Sequence, residues 1–231
     1  MKNKILIIMV FTVLFSCKEH KSTDEISYLI ATKTTSNYVE NRLPLKESPY
    51  LELPLGAIKP NGWLREQLQV MASGMTGNLD DIYPEVVGPR NGWLGGDGDG
   101  WERGPYWIDG LLPLAYILED ENLKNKAQKW VDWTINNQTE EGYIGPVPFD
   151  KEPEYEVGLQ RGQRKDWWPK MVMLKVLQQY YNARGDQRAI ETLSKYFKYQ
   201  LKELPNTPLD KLSLWANRRG GGQFTSSVLV V

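Results

Sequence analysis

Two stretches of this chain, 66 residues apart, follow one plan. From Pro105 to Leu118 nearly every position is apolar, including Trp107, Ile108, Leu111, Leu112, Leu114, Ala115, Ile117 and Leu118. A helix that is apolar on all sides has to be buried on all sides. "EDEN" then makes a tight turn with Asp120 placed as an N-cap. An amphipathic helix is predicted over about Glu121–Gln138, with Leu123, Ala127, Trp130, Val131, Thr134 and Ile135 on one stripe. Trp168–Arg184 repeats the apolar half through Met171, Val172, Met173, Leu174, Val176, Leu177, Tyr180 and Tyr181. "RGD" repeats the turn with Asp186 as the N-cap, and Ile190, Leu193, Phe197, Leu201 and Leu204 form the second stripe. Setting Asp120 against Asp186 places Ala127 on Leu193 and Val131 on Phe197.

A repeated helical pair buries its apolar faces against neighbouring pairs, stacked in a solenoid or closed in a ring. Within each pair the turn is short. The links before each buried helix, Gly77–Gly104 and Gly142–Asp166, are long and rich in glycine and aromatics. Long irregular loops in a compact domain are usually functional. Both links enter the N-terminal end of a buried helix, so they lie on one face. The expected fold is therefore all-α, an (α/α) toroid of helical hairpins whose inner helices ring a core and whose loops build a pocket. "LPLGAIKPNGWLREQLQVMASG" opens the globular part. Pro60 suits a helix start, Leu64, Leu68 and Met71 recur at helical spacing, and Gly74 and Gly77 suit the end.

The loops decide what chemistry is open. "GWLGGDGDGWERGPYW", Gly92 to Trp107, holds three tryptophans, six glycines, three acidic residues and an arginine. The second link brings Tyr143, Arg161, Arg164, Lys165, Asp166, Trp167 and Trp168. Indole faces stack on the C–H faces of a sugar ring, and carboxylates and guanidinium groups take its hydroxyls. Paired carboxylates are also the usual machinery of glycoside hydrolysis. "GGDGDG" reads as a flexible turn: the twelfth position counted from Asp97 is Ile108, where a calcium-binding EF-hand loop needs Glu. Glu102 and Arg103 read either as an ion pair at the start of the inner helix or as substrate contacts. Asp166 reads as the N-cap of the helix that begins near Trp168, a position that also faces a pocket.

Other chemistry is narrowed by two scarce residues. The only Cys is Cys17 and the only His is His20. An intrachain disulfide, a thiolate-rich zinc site, a Ser-His-Asp triad and an HExxH site therefore cannot be built from the globular part. The net charge of −1, with no basic patch, gives no electrostatic case for nucleic acid. At the N-terminus, "MKNKILIIMVFTVLFSC" joins Lys2 and Lys4 to an apolar run from Ile5 to Phe15, too short to span a membrane comfortably. It reads as a signal peptide. "LFSC" resembles a bacterial lipobox, which makes Cys17 the lipidated residue and the membrane a partner through that anchor. Expected segments are a lipoprotein signal over 1–17, a polar tether over 18–49 that contains His20, and the toroid over 50–231. Expected localisation is the bacterial cell envelope, lipid-anchored.

"WERGPYWIDGLLPLAYILEDENLKNKAQKWVDWTINNQTEEGYIGP" and "DWWPKMVMLKVLQQYYNARGD" resemble the start of the catalytic domain of glycoside hydrolase family 127, the β-L-arabinofuranosidase-like proteins. "LPLGAIKPNGWLREQLQ" resembles their entry segment. The resemblance covers roughly Leu53 to Arg219. It implies an (α/α)6 toroid followed by β-sandwich domains, and a retaining mechanism with a cysteine nucleophile in a zinc-thiolate site and a glutamate acid/base. No nucleophile or metal ligand carries over, because no Cys follows Cys17. No cofactor is expected in this chain; zinc is implied only for full-length relatives. What carries over is a substrate-binding set: Trp101, Glu102, Arg103 and Tyr106 in the first block, Asp166, Trp167 and Trp168 in the second.

Six hairpins at about 60 residues each need roughly 360 residues. The chain has 231, so it is expected to be the N-terminal part of a toroid, truncated or frameshifted, with the Met, Val, Leu and Tyr flanks of its inner helices left uncovered. The expected function is a glycoside hydrolase acting on side chains of plant or other complex polysaccharides. Two other readings stay open. One is a non-catalytic carbohydrate-binding lipoprotein. The other is a polysaccharide lyase using Tyr106 or Tyr143 with Arg103.

Overall fold

The computed structural model describes residues 46, 47, 49–146, 156–161 and 164–220. The expected signal peptide, Cys17, His20 and nearly all of the expected tether lie outside the described residues, as does the tail after Gly220. Among the described residues there are seven α-helices and no strand, and no helix is long and apolar enough to cross a membrane. The helices are α1 (Gly62–Ser73), α2 (Met75–Ile82), α3 (Arg103–Leu118), α4 (Glu121–Asn136), α5 (Trp167–Arg184), α6 (Gln187–Glu203) and α7 (Leu214–Arg218). The all-helical class and both expected hairpins are present: α3 with α4, and α5 with α6.

The two turns are built alike. Asp120 accepts from the backbone N–H of Asn122 at 2.9 Å and of Leu123 at 3.0 Å. Asp186 accepts from the N–H of Arg188 at 3.0 Å. Each satisfies donors that the first turn of a helix leaves unpaired. One position before each cap the backbone is left-handed: Glu119 at φ 58° and Gly185 at φ 67°. Glycine takes this conformation freely, whereas a side chain there is uncommon. The Glu119 carboxylate is held by Lys59 at 2.8 Å.

Inner helices α3 and α5 lie side by side and parallel. The Trp168 indole N–H donates to the Glu102 carboxylate, and Lys175 Nζ donates to Asp109 at 2.9 Å. Each of these pairs is separated by 66 residues, the length of the repeat. Equivalent positions of successive hairpins therefore meet across the inner layer, as a ring of hairpins requires. Ile108, Leu111, Leu112 and Ala115 of α3 are fully buried, as are Met173, Leu174, Val176 and Leu177 of α5. Each such Leu or Ile contributes about 1.5–3 kcal/mol through burial. α3 runs unbroken through Pro113. On α4 the predicted stripe is the buried one: Leu123, Ala127, Trp130, Val131 and Thr134.

Four expectations are corrected. α1 starts from Asn61, whose side chain accepts from the N–H of Gly62 at 2.8 Å, one residue beyond Pro60. The chain breaks at Gly74, and Gly77 sits inside α2. A Cβ on Gly77 would meet the Ala72 carbonyl oxygen at 1.8 Å, so this glycine serves a close approach of two helices. On α6 the buried residues are Ala189, Thr192, Leu193, Tyr196 and Gln200, while Leu201 is 77 % exposed. Each residue advances about 100° around a helix, which puts Leu201 past the edge of an arc centred on Leu193, Tyr196 and Gln200. Finally, the flanks of α3 and α5 are covered. The exposed apolar side chains cluster on α1 and α2 instead, at Trp63, Leu64, Val70, Met71, Met75 and Ile82.

The two glycines of α3 make opposite predictions. A Cβ on Gly104 would lie 2.5 Å from the Trp130 ring and 2.8 Å from the Asn91 amide nitrogen, while one on Gly110 meets nothing within 4 Å. Gly104→Ala is expected to lower stability by about 1–3 kcal/mol through overpacking. Gly110→Ala is expected to raise it by about 0.5–1 kcal/mol, as alanine does in a helix interior. Urea unfolding midpoints of the two variants measure both.

Candidate functional site

The segment before α3 is a packed structure and not the flexible turn that its glycines suggest. Asn91 is fully buried and accepts from the Trp93 N–H at 2.7 Å. Trp93, also fully buried, donates its indole N–H to the Trp101 carbonyl at 3.1 Å. A Cβ on Gly96 or Gly98 would come within 2.2 Å of the Arg90 or Glu85 carbonyl oxygen respectively. These glycines let two backbone strands of the loop touch. Arg90 clamps Asp97 with two bonds of 2.9 Å. No group of three or more His, Cys, Asp or Glu that could hold a metal occurs among the described residues.

Asp99 organises the loop. Its carboxylate is fully buried. It accepts from the Trp101 N–H at 3.2 Å, from Arg103 Nε at 3.0 Å and from the Gln160 N–H at 3.0 Å. Arg103 also donates to the Gly158 carbonyl at 2.6 Å, and the Gly100 N–H to the Gln160 carbonyl at 2.9 Å. One buried carboxylate thus joins the first loop to the second. The spacing of Asp99 and Arg103, four residues apart with opposite charge, was the available signal for it.

The seven predicted residues divide into two groups. Trp101 is buried and donates its indole N–H to Asp166 at 2.8 Å. Asp166 is buried and caps α5, accepting from the Trp168 N–H at 3.2 Å. Trp167 is buried and donates to the Thr207 carbonyl at 2.9 Å. These three hold the loops and helix ends together. Arg103 turns to Asp99, so an ion pair with Glu102 does not form. Glu102, Tyr106 and Trp168 meet where α3 and α5 start: Trp168 is buried, Glu102 half-buried and Tyr106 exposed. The Tyr106 and Trp168 rings are 5.8 Å apart and tilted at 56°, and Tyr106 is 41 % exposed. Glu102 is half-buried and makes no side-chain bond to its own helix end. Burial pushes the Tyr106 hydroxyl up from its usual range, against the pull of Arg219.

Trp215 and Arg219 complete this cluster from α7 and its end, and sequence reasoning missed both. The Arg219 guanidinium lies 4.8 Å from the Trp168 ring and 5.4 Å from the Trp215 ring, and donates to the Tyr106 hydroxyl at 3.2 Å. Tyr143 does not join. It is buried, and its hydroxyl lies 2.9 Å from each of the Pro146 and Arg164 carbonyls. Burial pushes the hydroxyl well up from its usual range and those carbonyls hold it away from solvent, which disfavours Tyr143 as a lyase base. A separate cavity of about 410 Å³ lies at the other end of α3, lined by Arg65, Gln69, Ala72, Ser73, Leu118, Glu119 and Asp120.

Residues 30–221 match the family model described as beta-L-arabinofuranosidase, GH127 catalytic domain. The chain belongs to this family. No curated protein matches it, and neither does any solved structure. The domain is thus of the arabinofuranosidase-like glycoside hydrolase kind, whose catalytic fold is an (α/α)6 barrel and whose substrates are carbohydrates. The zinc-thiolate site that the resemblance implies does not fit the residues present: beyond Cys17 there is no Cys, and the carboxylates nearest the cluster already hold Arg103, Trp101 or Lys175.

Beneath the start of α5 lies Lys170, fully buried. Its ammonium donates to the Arg164 carbonyl at 2.6 Å and the Asp166 carbonyl at 2.8 Å, and stands 4.9 Å from the Tyr143 ring. Burial pushes it down to about 7, with Asp166 pulling the other way. A lysine depressed in the folded state is charged in both states below pH 7. Above that, the unfolded chain holds a proton that the folded chain has lost, so stability rises with pH. The stability of the native protein over Lys170→Met is expected to grow by about 1 kcal/mol per pH unit above pH 7. Urea unfolding of both proteins at successive pH values measures this, and a flat difference would show the ammonium staying charged.

Proposed function

We propose that this domain binds arabinofuranose-like side chains of plant or other complex polysaccharides at the cluster of Glu102, Tyr106 and Trp168. Arg103, Trp101, Asp166 and Trp167 form the frame that aims it. The observation that carries this reading is the Glu102 carboxylate. Among the described residues it receives one side-chain bond, from the Trp168 indole, and it lies beside an exposed tyrosine ring. A carboxylate has about four lone-pair sites, so capacity remains for sugar hydroxyls, while the exposed Tyr106 ring suits the C–H face of a sugar. Asp99, Asp109 and Asp166 are engaged by Arg103, Lys175 and Trp101 and do not compete for this role.

Glycoside hydrolysis needs two groups flanking the bond. Glu102 supplies one carboxylate, and the role given to it is holding substrate. The lack of any Cys after Cys17 favours a second reading, carbohydrate binding without turnover. The polar segment behind Cys17, with its lipobox-like "LFSC", supports a lipid anchor in a bacterial envelope for either reading.

Calorimetric titration of the chain with α-1,5-arabinotriose, beside an assay on a chromogenic arabinofuranoside, separates the readings. Binding with turnover is expected for the hydrolase and binding alone for the second reading. Glu102→Gln is expected to weaken binding about tenfold through loss of charge-assisted bonds. Unchanged affinity in that variant would remove Glu102 from the site. For the anchor, Cys17→Ser is expected to abolish incorporation of a palmitate label and release the protein from membranes. Retained label would refute it.

A further inference from the structure

Among the arginines, Arg219 is held in an unusual way. Arg90, Arg103, Arg161 and Arg188 each grip a carboxylate. Arg219 has none within salt-bridge distance among the described residues. Its guanidinium is instead set over two indole rings, Trp168 at 4.8 Å and Trp215 at 5.4 Å, and one N–H donates to Tyr106 at 3.2 Å. Aromatic rings attract a cation through their faces but accept no in-plane hydrogen bonds. A guanidinium has five N–H donors in its plane. With one donor bonded to Tyr106, most of that exposed fork has no carboxylate in salt-bridge contact among the described residues.

Glu102 and Arg219 both touch the Tyr106–Trp168 pair, Glu102 through the Trp168 indole N–H and Arg219 through the Trp168 ring and the Tyr106 hydroxyl. One offers an acceptor, suited to hydroxyls. The other offers a charged planar donor, suited to a carboxylate in two-point contact. We infer that Arg219 forms an anionic subsite, so that the carbohydrate recognised at this cleft carries a carboxylate, as a uronic acid does. This rests on the carbohydrate-binding reading above. Trp215 acts as the shelf that holds the guanidinium in place.

The test is calorimetric titration of the full chain with tri-galacturonate and with neutral α-1,5-arabinotriose at low and high salt. Wild type is expected to bind the acidic trimer more tightly, with a preference that shrinks as salt rises. Arg219→Ala is expected to lose about tenfold on the acidic trimer and less than about twofold on the neutral one. Arg219→Lys is expected to recover part of that loss, since it keeps the charge and loses the fork. Equal losses on both sugars would overturn the inference and make Arg219 a prop for the aromatic rings. A wild type that binds the neutral trimer at least as well would overturn it while leaving the carbohydrate reading intact. Binding of neither sugar would end both. An ultraviolet-absorbing unsaturated product from the acidic trimer would support the subsite and move the reaction to the lyase class.

Discussion

The Asp166 carboxylate is the point on which the two inner helices and the loops above them converge. One oxygen caps α5 through the Trp168 N–H, and the other accepts the indole N–H of Trp101, which lies just before α3. A buried carboxylate is costly unless its lone pairs are filled. Here the partners that fill them come from the first turn of α5 and from the loop before α3. The Lys170 ammonium stands one helical turn further along and binds the Asp166 carbonyl. Loss of the Trp101 bond would leave part of a buried charge unsatisfied, which is why the start of α5 and the loop before α3 have one shared geometry. Residues that looked like ligands for a sugar, Trp101, Asp166 and Trp167, are in this way the means by which Glu102, Tyr106 and Trp168 are positioned.

The repeat was legible because helical pairing is a local property. Turn, cap and buried stripe fall within about twenty residues of each other, so Asp120 and Asp186 could be placed as caps from spacing alone. The toroid was read from paired helices whose long links enter one face, and the side-by-side packing of its inner helices appears in the contacts Glu102 to Trp168 and Asp109 to Lys175. The family resemblance, read from "WERGPYW" and "DWWPKM", agrees with the matched span of 30–221.

What escaped the sequence depends on distant partners. Leu201 has the right spacing for a stripe, but which arc of α6 faces inward is decided by α5, not by α6 itself. Gly77 looks like a helix stop, and only the Ala72 backbone beside it reveals a packing role. "GGDGDG" reads as slack, yet its glycines are dictated by carbonyl groups of Glu85 and Arg90 that the loop folds back upon. Arg219 and Tyr106 are 113 residues apart, and neither periodicity nor motif links them. Composition offered residue types that suit a sugar. It could not say which indoles are buried, as Trp101, Trp167 and Trp168 are, and which are exposed, as Trp215 is.

That division bears on how function is assigned in this family. The cavity of about 410 Å³ lies at the C-terminal end of α3 and is lined by no aromatic side chain. The Tyr106, Trp168 and Trp215 rings gather at the helix's other end, near Glu102 and Arg219. Sugar recognition needs flat apolar faces next to unspent polar groups, and only the N-terminal end has both. In the cavity, Asp120 is already engaged as a cap and Glu119 by Lys59. The loops are also where the repeat breaks: the two hairpins follow one plan in their helices, but the links leading into them, both long and rich in glycine and aromatics, differ in sequence. A fold that keeps its helices regular while varying the segments above them confines its specific chemistry to that face, and the substrate follows from the side chains gathered there.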